Sequence, residues 1–310
     1  MANDVTGLFQ TLVLPAVASL QAPVMFSNSM IRKVYVQPQP QPGNVGQTIN
    51  VNIPIVAEGD VVDIGNGPIQ ITDQDHDTVS LTVNNNKSKA LRIPDFDAIR
   101  TPMQLRDFYL APAIESVTRK IDRGLCNLVN TTNFSVHSSI TGGADLFTRG
   151  NLATAWGNLV GAGVPVTPGD LHFVTGHVPY ANMMADTTNS WIQESVIGKD
   201  AAESIQQRAQ FMPVFSATLD YDQLFPQPSA GATYAGLFFH RHAIAMVPVL
   251  PPMGEKPHVQ ETTYQVPGSG LTYRIQFWYD PREQAWILHI HCVYAQAVVR
   301  AAFGSYLVST

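Results

Sequence analysis

The chain has 310 residues, enough to bury one large core or two smaller ones, and its 45% hydrophobic content excludes wholesale disorder. A net charge of −6 with scattered cations excludes the clustered Lys/Arg face with which duplex-binding proteins displace counterions. Cys126 and Cys292 each lie among apolar neighbours and read as buried thiols of a reducing compartment, not as a disulfide framework.

The N-terminal stretch LFQTLVLPAVASLQAPVMF is apolar, but its flank MANDVTG carries Asp4 and no cation, unlike an export signal. Pro15 and Pro23 interrupt it, and no other run reaches the roughly 18 apolar residues of a membrane span, so a soluble intracellular product is expected. A short apolar helix is predicted at 8–14. The alternating prolines of VYVQPQPQPGNVGQ then predict an extended segment whose backbone is free to dock elsewhere.

In QTINVNIPIVAEGDVVDI, Ile49, Val51, Ile53 and Ile55 alternate with polar residues and Pro54, the period of a half-exposed strand. The return segment TVSLTVNNNKSKALRI repeats the pattern in Val79, Leu81 and Val83. Together they predict a long hairpin with arms of roughly 10 residues, or ~33 Å. Too poor in apolar residues to fold alone, it is expected to reach away from its own core toward another subunit.

The strongest helix signal begins at Thr101, where TPMQ forms a capping box with Pro102 in the first turn and Gln104 at its third position. Pro112 is expected to break or kink it. From Pro112 to Asn130, Ile114, Val117, Ile121, Leu125 and Leu128 form one stripe, with Glu115, Arg119, Asp122 and Arg123 on other faces. Further on, the pattern predicts helices near 150–159 and 201–208, a strand in DLHFVTG, and one long strand in AGLFFHRHAIAMVPV. The C-terminal part reads as a hairpin, LTYRIQFWY and QAWILHIHC around DPRE, followed by an apolar strand tail.

Few stretches offer chemistry. DQDHD (Asp73 to Asp77) lacks the glycine and glutamate of a calcium loop and reads as a solvated hairpin tip. No P-loop, Gly-x-Ser-x-Gly elbow or His-Glu-x-x-His helix is present. His240/His242 and His289/His291 each place two imidazoles on one strand face and could serve a metal-dependent hydrolase. A loop at DPRE, however, sets Phe277 opposite Trp286, Ile275 opposite Leu288 and Tyr273 opposite Ile290. On the other face it sets Arg274 opposite His289 and Thr272 opposite His291, and a cation there disfavours a divalent metal. Cys292 falls on the apolar face. No catalytic, cofactor-binding or metal residue and no cofactor is therefore predicted.

The order arm, hairpin, long helix, mixed domain and returning strand resembles the major capsid proteins of tailed bacteriophages with the Hong Kong 97-type fold, podovirus-like coat proteins in particular. Three stretches carry it: VMFSNSMIRKVYV; GQTINVNIPIVAEGD with HDTVSLTVNNNKSKALRI; and IPDFDAIRTPMQLRDFYLAPAIESVTRKIDRGLC, with its Ile121–Asp122 pair. The likeness covers about 25–130, and the rest by element order. It implies an α+β capsid fold with an N-terminal arm (1–45) and an extended loop (46–95). A peripheral domain with a spine helix would span 96–134 and 266–310, and an axial domain 135–265.

The function implied is that of a structural protein, not an enzyme. It would assemble with itself through pentamers and hexamers into an icosahedral head, located in the virion and, during assembly, in the host cytoplasm. The resemblance implies a separate scaffolding protein, with no removable scaffolding segment or inserted surface domain in this chain. It also implies a portal, a possible decoration or cement protein, weak nonspecific contact with packaged double-stranded DNA, and no membrane. Lys87, Lys89 and Asn84 to Asn86 sit in the loop, but no acidic catalyst for a lysine–asparagine crosslink is identified. An encapsulin-type nanocompartment shell, a tail or decoration protein, and the histidine-based hydrolase are the alternatives.

Overall fold

A computed structural model describes residues 29–37, 41–54, 76–94, 106–140, 147–185, 214–225, 234–250, 259–265 and 270–309. The helices expected at 8–14 and 201–208, most of the hairpin tip and the Thr101 capping box lie outside these residues.

A turn at Met30–Arg32 leads into the two-residue strands β1 (Tyr35–Val36) and β2 (Gln41–Pro42). The hairpin β3 (Thr48–Pro54) and β4 (His76–Thr82) follows, then β5 (Asn85–Pro94) and, after a wide turn at Arg106–Leu110, helix α1 (Ala111–Cys126). The chain continues through β6 (Val136–Ile140), α2 (Arg149–Gly161), β7 (Leu171–Thr175), α3 (His177–Ala185) and β8 (Ala217–Tyr221). The remaining strands are β9 (Tyr234–His240), β10 (Ile244–Leu250), β11 (Gln260–Gln265), β12 (Thr272–Asp280), β13 (Ala285–Val298) and β14 (Gly304–Ser309).

The first sheet runs β1-β10-β13-β12-β11, with β2 also on β10 and β5 also on β13. Strand β13 organises it: β5 pairs along Ala285–Tyr294, β12 along Ala285–His291 and β10 along Val293–Val298. Leu288, Ile290, Cys292 and Tyr294 alternate onto one face, where they share a core with the predicted stripe Ile114, Val117, Ile121 and Leu125 of α1. Each such aliphatic side chain contributes about 1.5–3 kcal/mol when fully buried. Pro112 does not break this helix. It stands in the first turn, where its missing N–H leaves no bond unmade. The helix stops at Cys126, short of Asn130, whose Oδ1 instead accepts the N–H groups of Thr132 and Asn133 at 3.0 and 2.9 Å in a turn.

The structure sharpens three sequence expectations about the first sheet. The described base of the hairpin does not reach away: Ile49, Val51, Leu81 and Val83 bury against Val247, Val249, Val293 and Ala295 on the face opposite α1. Those four sheet residues are small and apolar, so they offer the hairpin the second face it lacks. The segment expected to be extended and to dock elsewhere docks on the same chain, since β1 and β2 run parallel to β10 and extend its edge. Asn85, Asn86, Lys87 and Lys89 stand on β5, paired to β13.

The C-terminal hairpin keeps its two predicted faces but shifts its register by two. Phe277 lies opposite Leu288, Ile275 opposite Ile290, Gln276 opposite His289 and Arg274 opposite His291. Asp280 pairs with Ala285, so the loop falls one residue later than expected and closes on Gln284 at φ 46°. A shift of two preserves every side chain's face, which is why the apolar face survives the error.

The second sheet runs β6-β14-β9-β7-β8. Its core gathers Phe147, Leu152, Leu159, Phe173, Phe238 and Leu307, and Thr148 caps α2 by accepting the Asn151 N–H at 3.2 Å. The stretch AGLFFHRHAIAMVPV is not one strand. It breaks at a tight turn, Arg241–Ala243, so that β9 joins the second sheet and β10 the first. Gly304 opens β14 where a Cβ would lie 2.5 Å from the Phe134 ring, a closeness only glycine allows. No described helix is long and apolar enough to cross a membrane.

Candidate functional site

Thr118, Asp122 and Cys126 stand four residues apart on α1 and are all buried, a second line beside the apolar stripe. The sequence reading placed Asp122 off the apolar stripe, on another face of the helix; the structure shows that this position is buried too. Its Oδ1 accepts the Ile31 N–H at 3.3 Å. Asp222, just past the end of β8, accepts the Met30 N–H at 3.2 Å and the Leu224 N–H at 2.8 Å. The Lys33 ammonium lies 3.4 Å from Asp220 on β8. Three carboxylates from two elements thus grip residues 30–33 between α1 and the second sheet.

Burial, reinforced by the neighbouring Asp222, holds the Asp122 carboxyl well above the usual carboxylate range. The Asp122 and Asp222 carboxyls face each other, so charging Asp122 works against both its burial and its neighbour. Burial lowers the Lys33 ammonium pKa, while Asp220 and Asp222 act in the opposite direction. Burial also pushes the Cys126 thiol well up, which makes it a poor nucleophile. The ligand atoms of Asp122, Cys126 and Asp222 lie within 4.8 Å of one another, a donor set that could hold a divalent ion. The carboxylates are already engaged by the Met30 and Ile31 N–H groups and the nearby Lys33 ammonium, so the cluster reads as a clamp on residues 30–33. Sequence reasoning missed Lys33, Asp220 and Asp222. The i, i+4, i+8 spacing of Thr118, Asp122 and Cys126 was the signal available.

The four histidines do not converge, which removes the geometric basis of the hydrolase alternative. His240 and His242 have ring centroids 5.0 Å apart, and so do His289 and His291. Ile244 pairs with Val298, seven residues along β13 from His291, which separates the two pairs by roughly 20 Å at strand rise. His289 and His291 share a face, as predicted. His289 Nδ1 lies 3.2 Å from Gln276 Oε1, Gln276 in turn donates to Glu261, and Glu261 pairs with buried Arg274. This polar ladder crosses three strands of the first sheet. Cys292 points to the opposite, apolar face, with its thiol pushed up to about 12 by burial.

No protein-family model and no curated protein matches the chain. Solved structures do. A Mycobacterium phage Che8 structure aligns over 86% of this chain and 85% of its own, at 13% identity and TM-score 0.55. The capsid structure of cyanophage P-SCSP1u aligns over 91% and 88%, at 11% identity and TM-score 0.55. The capsid of Ralstonia phage GP4 aligns over 93% and 92%, at 8% identity and TM-score 0.53. At such identities the likeness establishes a shared fold.

Proposed function

We propose that this chain is the major capsid protein of a tailed double-stranded DNA bacteriophage, built on the Hong Kong 97-type plan. The observation that carries the reading is the fold likeness to phage capsid structures along about nine-tenths of both chains. A partial motif or a shared single sheet would not give that coverage. The resemblance of 25–130 to coat proteins supports it independently of the coordinates.

In this reading α1 is the spine helix, residues 46–95 form the extended loop, and residues 1–45 form the arm. The peripheral domain, expected at 96–134 and 266–310, is drawn here to follow the first sheet and so includes β10 and β11. The axial domain, expected at 135–265, follows the second sheet and so includes β14. Subunits would join through pentamers and hexamers, with many modest contacts adding up by multivalency. A scaffolding protein, a portal and weak contact with packaged DNA complete the proposed partners, and the virion is the proposed location.

The test is assembly. The purified chain, alone and with the scaffolding protein of its source, is expected to form closed particles visible by negative-stain microscopy. A chain that stays monomeric under both conditions overturns the reading.

A further inference from the structure

The chain passes from β9 to β10 through Arg241–Ala243 and from β13 to β14 through Ala301–Phe303, and these two passages between the sheets touch. The Val299 and Arg300 N–H groups both donate to the Ala243 carbonyl, at 2.9 and 3.3 Å. Histidines fill this junction. The His240 ring meets Phe303 edge-on at 5.7 Å and His242 at 5.0 Å. His242 meets Tyr35 of β1 edge-on at 5.3 Å, so the arm reaches the same point. His240 Nδ1 accepts the His242 N–H at 3.2 Å, a bond that requires this nitrogen to be unprotonated. On β7, His172 packs beside Phe239 and lies 2.8 Å from the Thr218 hydroxyl.

The charges around these rings are mostly positive. His240 faces His242, Arg241 and Arg300, with Asp170 as the one anion. His242 faces Arg241, Arg300 and the same Asp170. His172 faces Lys33, Arg241 and His240, again with Asp170. Asp170 is already engaged, since Arg241 Nη1 lies 3.3 Å from its Oδ1. Burial first, then these cations, lowers His172 and His240 to about 4 and depresses His242 as well.

We propose that the junction is an acid-sensitive hinge: protonating His240 breaks the bond it accepts from the His242 backbone N–H, protonating His242 as well sets two cations in ring contact beside Arg241 and Arg300, and the two sheets become free to move relative to each other. The strand β1 loosens with them, because Tyr35 rests on His242. A histidine whose folded pKa is depressed favours the closed state fully above its ordinary pKa of ~6.5. That preference is lost as pH falls toward about 4. The hinge belongs to the single subunit, so its test does not depend on shell formation.

The experiment places spin labels at R149C on α2 and R282C in the β12–β13 loop, both exposed, with the native cysteines buried and unreactive. Pulsed electron resonance on the unassembled subunit reads the intersheet distance as pH falls from roughly 7 to 4. The distribution is expected to shift or broaden below about pH 5.5, and H240Q/H242Q is expected to suppress that change several-fold. D170N, which removes the anion that favours the protonated rings, is expected to move the transition downward by roughly half a pH unit or more. An unchanged distribution at about pH 4, or an equal change in H240Q/H242Q, overturns the hinge. Should H240Q/H242Q not fold, a transition that D170N leaves in place overturns it equally.

Discussion

The ammonium of Lys33 lies 3.4 Å from a carboxylate oxygen of Asp220, with only 5% and 13% of the two side chains exposed. This pair ties the root of the N-terminal arm to a strand of the second sheet, almost 190 residues away in sequence (220 − 33 = 187). The pair therefore fixes where the chain N-terminal to residue 30 leaves the fold.

Removing the cation should be costly. Lys33→Met leaves Asp220 and Asp222 without a positive partner, and breaking one side of a buried pair costs about 3–5 kcal/mol. Urea unfolding of the subunit is the measure. A loss below about 1 kcal/mol would mean that solvent reaches the carboxylates.

Asp122 should behave in the opposite sense. Its folded pKa is raised, so the stability it contributes is fully present below the ordinary carboxylate range and is lost as pH rises through the folded value. Asp122→Asn keeps the shape and an amide donor toward Asp222, so it should cost no more than about 1 kcal/mol at neutral pH. Melting curves on the alkaline side should then show wild type losing stability relative to D122N. Parallel curves would rule out the protonated carboxyl.

Gly304 tests the seam between the two cores. Gly304→Ala places a methyl against the Phe134 ring and should destabilise by about 1–3 kcal/mol, with Phe134→Leu recovering part of the loss. Calorimetry of both variants and the double gives the coupling directly. Additive effects would show that the ring moves aside freely.

Deleting Asp60 to Asp77 trims only His76 and Asp77 from the described part of β4 and leaves Ile49, Val51 and Leu81 on the first sheet. The subunit should melt normally and yet close no shells. Normal particles from this deletion in negative stain would remove the extended loop from the assembly mechanism.

Much of the fold was legible because periodicity is local. The stripe from Ile114 to Leu125 and the two faces of the C-terminal hairpin follow from spacings of 3.6 and 2. What escaped depends on partners far away in sequence. The hairpin base is poorly apolar by itself, and its burial relies on Val247, Val249 and Val293, which no local pattern connects to Ile49. Asp122 looks like a surface charge until Met30, Ile31 and Asp222 are brought beside it. The break at Arg241 is hidden because both flanks are apolar strands; only their assignment to different sheets separates them.

The pairing of β6 with β14 bears on synthesis. Strand β6 ends at Ile140 and its described neighbour begins at Gly304, an interval of 164 residues (304 − 140). At ribosomal speeds this keeps β6 waiting roughly 10–30 s for the strand it pairs with. The second sheet therefore cannot close on a nascent chain that stops short of β14. The sequence VHSSI, three-fifths polar, suits a strand that must stay unpaired for so long.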